Sequence, residues 1–205
     1  MTNAAQPPDG LIDAVRRAAD ELLPARMGTT AQGAVARADV GGAAGDVDVQ
    51  TPRPLYDIGL DRIADGSGLE SARQVGWRTL VNVGASPVAM ADSGDDDDGP
   101  TVRSMNYGPF VAGLAEAADS SPRRADADTD ESDRAQIDER ILQVPALYFV
   151  GLWLHDEERP GDDVVVPARP APPGLEPGTM YPAAEVLEQL ARLAAEKRQI
   201  DDHGS

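Results

Sequence analysis

Apolar positions recur at helical spacing in three stretches of the chain. Leu11, Val15, Ala18 and Leu22 form one stripe; Asp9 can cap that helix and Pro24 is expected to end it. Phe110, Val111, Leu114, Ala117 and Ala118 form a second stripe, opened by Pro109, whose fixed φ and missing N–H suit a first helical position. The third stripe, Val186, Leu187, Leu190, Leu193 and Ala194, predicts a helix from Pro182 to about Arg198, with Glu188 and Arg192 spaced for an ion pair.

Elsewhere the pattern alternates, as a half-buried strand requires. Val75, Trp77, Thr79, Val81 and Val83 share one face, Gly84 to Pro87 is a turn signal, and Val88 to Ala91 reads as the returning strand. The run Ile141 to His155, ILQVPALYFVGLWLH, holds Tyr148, Phe149 and Trp153 and predicts a central core strand. Its even positions from Leu142 to Leu154 are apolar throughout. Gln143, Pro145, Gly151 and His155 interrupt the odd face, and Pro145 or Gly151 marks a bulge or bend. Asp156 to Asp163 makes a turn and Val164 to Val166 a short returning strand. Six prolines between Pro167 and Pro182 then prevent regular structure before the last helix.

Two β-β-α halves follow from this order. The expected fold is α+β, a two-layer sandwich with a mainly antiparallel sheet of about four strands, helices on one face, an N-terminal helix and flexible acidic loops. Residues 1–54 read as that helix plus an Ala/Gly-rich flexible linker, with a short edge strand near Asp46 to Gln50. Residues 55–200 read as a single domain and 201–205 as a tail. Tyr56 to Ile63 fits strand or helix equally. Residues 120–136, acidic and almost without apolar side chains, read as a disordered loop, since burial cannot offset the entropy of ordering them.

Composition narrows the function classes. The chain carries 36 acidic residues against 18 basic ones, a formal charge of −18, which would repel nucleic-acid phosphates and anionic lipid headgroups. Neither nucleic acid nor a membrane is therefore an expected partner. Lys197 is the sole lysine, a bias that fits GC-rich coding, and the acidic excess also fits adaptation to high salt. The absence of cysteine excludes thiolate catalysis, disulfides and cysteine-bound zinc. The N-terminal residues lack the basic and apolar blocks of a signal peptide, and the apolar run Val144 to Leu154 is shorter than the roughly 20 residues of a spanning helix, so a cytoplasmic protein is expected.

Candidate chemistry is sparse. Asp95 to Asp98, and the alternating Asp126, Asp128 and Asp130, offer carboxylates to a hard cation. The second run, however, places Glu131 where a calcium loop needs glycine and Ile137 where it needs a bidentate glutamate. Solvated acidic loops are the better reading, and no metal or other cofactor is expected. His155 and Asp156, followed by Glu157, Glu158, Asp162 and Asp163, form a turn where a histidine beside carboxylates could serve as acid or base; a polar hairpin tip is the better reading. Arg103, Ser104, Asn106 and Tyr107 precede the helix at Pro109, where an anion could bind, although Asn106 or Gly108 could simply cap that helix.

These observations lead to an expectation of a soluble, non-catalytic binding or assembly module. Its contact surface is expected on the odd strand face with Leu147, Phe149 and Trp153, left open to a protein partner or a second copy. The competing expectations are a carboxylate/histidine enzyme, with His155 or Asp156 as acid or base and Arg103 holding a small anionic substrate, and an acidic mimic of nucleic acid that binds a basic protein.

Overall fold

The computed structural model describes residues 6–27, 46–97, 99–120 and 137–203. They form an α+β fold of nine strands in mixed sheet with four helices, not a sandwich built on about four antiparallel strands. The chain divides into two compact units, Met1–Arg53 with Gly76–Ala112 and Pro54–Val75 with Gly113–Ser205.

The first unit contains helix α1 (Leu11–Met27) and strands β1 (Val47–Val49), β3 (Arg73–Val83, from Gly76), β4 (Ser86–Asp96) and β5 (Gly99–Asn106). All its strand pairs are antiparallel: β1 with β3, β3 with β4, and β4 with β5. The short edge strand expected near Asp46 to Gln50 is β1. Helix α1 docks through Val15, Ala19 and Leu23 on Val49, Val81, Val83, Ala89 and Ala91. Its buried stripe steps by four residues from Leu11, which leaves Leu22 outside it and exposed. Pro24 lies within the helix rather than ending it. In the last turn its missing N–H removes one backbone bond while α1 stays anchored by Leu23.

The acidic stretch after Ala91 is not simply a solvated loop. Strand β4 continues to Asp96, and Asp95 pairs with Pro100 and Asp96 with Gly99 of β5. Two of these carboxylates carry counter-charges in the sheet: Arg78 meets Asp92 and Arg103 meets Asp96.

The second unit contains strand β2 (Arg53–Asp57, from Pro54), helix α2 (Leu60–Ala64), strands β6 (Ile137–Val144), β7 (Phe149–Asp156), β8 (Val164–Pro167) and β9 (Tyr181–Pro182), and helix α4 (Ala183–His203). Helix α3 (Pro109–Asp119) runs across the division at Gly113. Tyr56 to Ile63, ambiguous in sequence, thus supplies the end of β2 and most of α2. Strand β2 pairs with β6 in parallel, and β6, β7, β8 and β9 pair antiparallel in succession.

The expected single strand from Leu142 to Leu154 is instead a hairpin. The chain folds back through a 3-10 turn at Pro145–Leu147, and Tyr148 takes a left-handed conformation with φ of 51°. Proline at the start of the turn and the absence of a β-sheet partner for its missing N–H explain why the apolar run breaks there. Opposed residues on one face are Val144 with Phe149, Leu142 with Gly151, Arg140 with Trp153, and Asp138 with His155. Val186, Leu190 and Ala194, at four-residue spacing on α4, pack with Ile63 of α2 on Leu142, Val144, Phe149, Trp153 and Val165. The other face is buried too, through Ile141, Leu152, Leu154 and Val166. No helix among the described residues is long and apolar enough to cross a membrane.

Candidate functional site

The β6–β7 hairpin gathers the most distinctive chemistry of the second unit, at its open end and at its tip. At the open end, Asp163 at the head of β8 is 5 % exposed and collects three donors. The Trp153 indole Nε1–H donates to it at 2.8 Å, the Asp156 backbone N–H at 3.1 Å, and His155 Nδ1 lies 3.0 Å away. An ionised carboxylate only accepts, so a neutral His155 must carry its proton on Nδ1 and present Nε2 as an acceptor.

Beside this knot, Arg140 projects from β6 on the same face. Its guanidinium lies 4.8 Å from the Trp153 ring centre and 5.2 Å from that of Tyr56, and its Nε donates to Asp138 at 2.8 Å. Tyr56 meets Trp153 edge-on at 5.2 Å, and Trp153 meets His155 at 5.5 Å. Tyr56, Arg140, Trp153 and His155 therefore form a continuous row of edge-to-face rings and charge, with β2, β6 and β7 each contributing.

Asp156 does not join His155 in a shared site. Its carboxylate turns into the following loop and accepts the N–H groups of Glu158 and Arg159 and the Arg159 guanidinium. Burial pushes the Asp156 carboxyl up, but these donors outweigh that effect and hold it below the usual carboxylate range. Its role is to fix the turn.

At the hairpin's tip, Tyr148 is 79 % exposed. It is the only non-glycine residue with positive φ among the described residues, in a conformation that costs most side chains roughly 1 kcal/mol.

Phe149 and Trp153, 1 % and 4 % exposed, belong to the core beneath α4, and Leu147 is partly buried against the same cluster. The open face expected around these three residues is thus closed by α4, whose apolar stripe needed the same surface. Arg103, Asn106 and Tyr107 lie in the first unit. Arg103 pairs with Asp96 at 3.2 Å, Asn106 donates to Asp92 and Ser104, and Tyr107 packs beside the α1 core. Asn106 ends β5, and Gly108, the other cap expected, is the residue directly before α3. Asp98, and the alternating Asp126, Asp128 and Asp130, lie outside the described residues. Among the described residues no group of three or more His, Asp or Glu side chains is placed to hold a metal ion.

Sequence reasoning missed Arg140, Tyr56 and Asp138. Only the hairpin register could have found them, because they meet Trp153 and His155 across strands. Asp163 was visible as one of several acids in the turn, with nothing local to single it out. No family model, curated protein or solved structure matches the chain.

Proposed function

We propose that this protein is a non-catalytic protein-binding module whose anchor is Tyr148 at the tip of the β6–β7 hairpin. The observation that carries this reading is an exposed aromatic side chain held in a left-handed turn, a position where glycine or asparagine would cost less. Folding derives no core burial from that ring, which leaves it free for contact outside the chain. A tyrosine on a rigid turn brings large contact area with few rotatable bonds, the property that makes such residues dominate interfaces.

The formal charge of −18 supports a partner with a basic contacting surface, since complementary fields accelerate encounter and disfavour acidic competitors. The engagement of Asp156 in its turn and of Arg103 with Asp96 supports a binding role over carboxylate chemistry shared between those groups.

A photo-cross-linking side chain at position 148 of the full chain tests this in native lysate, with the same group at exposed Met180 as reference. A discrete product at 148 that is absent at 180 and weakens with added salt is the expected result. Tyr148→Gly should abolish co-purification of that protein while leaving the fold at least as stable. No product specific to position 148, or binding that persists in Tyr148→Gly, would remove the proposal.

A further inference from the structure

We propose that His155 Nε2 and the terminal nitrogens of Arg140 form a binding site for a phosphate group that keeps a proton, as inorganic phosphate or a phosphate monoester. Asp163 fixes the acceptor side of this site. Buried and bonded to Trp153 and to the Asp156 N–H, it cannot rotate away, and it places the His155 proton on Nδ1. The opposite ring nitrogen then offers a lone pair, and among the described residues His155 takes no bond other than those to Asp163.

Arg140 supplies the donor side. Its Nε is spent on Asp138, and the Tyr56 and Trp153 rings lie 5.2 and 4.8 Å from the guanidinium carbon, confining it. The two terminal nitrogens make no hydrogen bond with any described residue. A guanidinium fixed in this way loses little side-chain entropy on binding and presents parallel N–H groups suited to an oxyanion.

The register places the two groups as neighbours. Arg140 opposes Trp153, and His155 lies two residues further along β7 on the same face, a diagonal relation of about 7 Å between backbones. A ligand spanning them must accept from Arg140 and donate to Nε2. Phosphate that retains an O–H does both, whereas sulfate at neutral pH has no proton to donate. Asp138 and Asp163 reinforce this choice, because two nearby carboxylates disfavour a fully deprotonated anion.

With only two histidines in the chain, His203→Gln leaves His155 as the sole imidazole for nitrogen NMR. The full-length protein would be titrated at pH 7 and constant ionic strength with inorganic phosphate, glycerol 3-phosphate and sulfate in parallel. Expected are a saturable shift of the His155 Nε2 resonance with phosphate or the monoester and a response at least about tenfold weaker with sulfate. At pH 7 inorganic phosphate keeps a proton while a monoester, with a second pKa of about 6, has mostly lost its own, so the free ion should respond more strongly. Arg140→Gln should weaken the response about tenfold or more, while Arg192→Gln on exposed α4 surface leaves it unchanged. Near-ultraviolet circular dichroism establishes that each variant keeps its fold; if Arg140→Gln unfolds, the phosphate-against-sulfate comparison in the parent decides alone. No His155 response to either phosphate probe, or an equal response to sulfate, would overturn the assignment.

Discussion

Trp153 donates its indole N–H to Asp163 across 2.8 Å, and both side chains are buried. The tryptophan anchors the core beneath α4, while the aspartate ties β8 to the end of β7. Removing the carboxylate strands the indole and the Asp156 N–H without an acceptor, and an unsatisfied buried donor costs about 1–3 kcal/mol. Asp163→Ala should therefore destabilise the protein by about 3 kcal/mol in urea denaturation, and Asp163→Asn, which keeps one acceptor oxygen, by roughly half as much. Equal losses would show that the charge, rather than the acceptor, holds this corner together.

In the first unit Arg78 forms a bidentate pair with Asp92, Nε to Oδ1 at 2.6 Å and a terminal nitrogen to Oδ2 at 2.9 Å. Arg78 is 5 % exposed, and Ser104 and Asn106 also donate to Asp92. Breaking a buried pair from one side leaves a desolvated charge, so Arg78→Met should cost about 3 kcal/mol. Arg78→Met with Asp92→Leu should cost less than either change alone, since apolar replacement of both partners is close to neutral. The exposed pair Arg198–Asp65 provides the contrast: Arg198→Ala should cost below about 1 kcal/mol. Chemical denaturation of the four variants completes the comparison.

Part of this architecture was legible along the chain, and the limit has a physical origin. The stripe Val186, Leu190 and Ala194 and the alternation Trp77, Thr79, Val81 and Val83 encode local geometry, and both elements formed where expected. The run from Leu142 to Leu154 misled because a buried strand and a buried hairpin share the same apolar signal. A bulge or bend is expected at Pro145 or Gly151; Pro145 instead opens the turn that Tyr148 closes. That turn swaps the partner of every later residue, placing His155 opposite Asp138 and Trp153 opposite Arg140. The parallel pairing of β2 with β6 was equally invisible, since it joins residues 86 positions apart, Leu55 with Ile141 among them. Acidic residues in β4 defeated the loop reading because their arginine partners lie on other strands.

Acid should weaken the turn after β7. The Asp156 carboxyl is held below its ordinary range, so the folded state favours the ionised form more than the unfolded chain does. Its contribution is complete above the unfolded value of about 3.9 and disappears as pH falls through the lower folded value. Asp156→Asn should flatten the acid limb of a stability-against-pH curve in that window and leave its slope near pH 7 unchanged. An identical acid limb in the variant would show that the hydrogen bonds to Glu158 and Arg159 do not couple to folding.

Gly113 sets helix propensity against packing, and packing should win. Within α3 an alanine ought to be favoured by about 1 kcal/mol over glycine. A Cβ at this position, however, would fall on the backbone nitrogen, carbonyl carbon and oxygen of Arg169. Backbone atoms cannot rotate aside as a side chain tip can, and the adjoining Ala168 is fully buried, which restricts movement of that segment. Overpacking of this kind costs about 1–3 kcal/mol, and contact with backbone belongs at the upper end. Gly113→Ala should therefore lower stability by about 1–2 kcal/mol net, whereas Gly161→Ala, with open space around its Cβ, should change it by less than about 0.5 kcal/mol. A stabilised Gly113→Ala, measured by urea midpoint, would mean that α3 and the Arg169 segment separate at little cost.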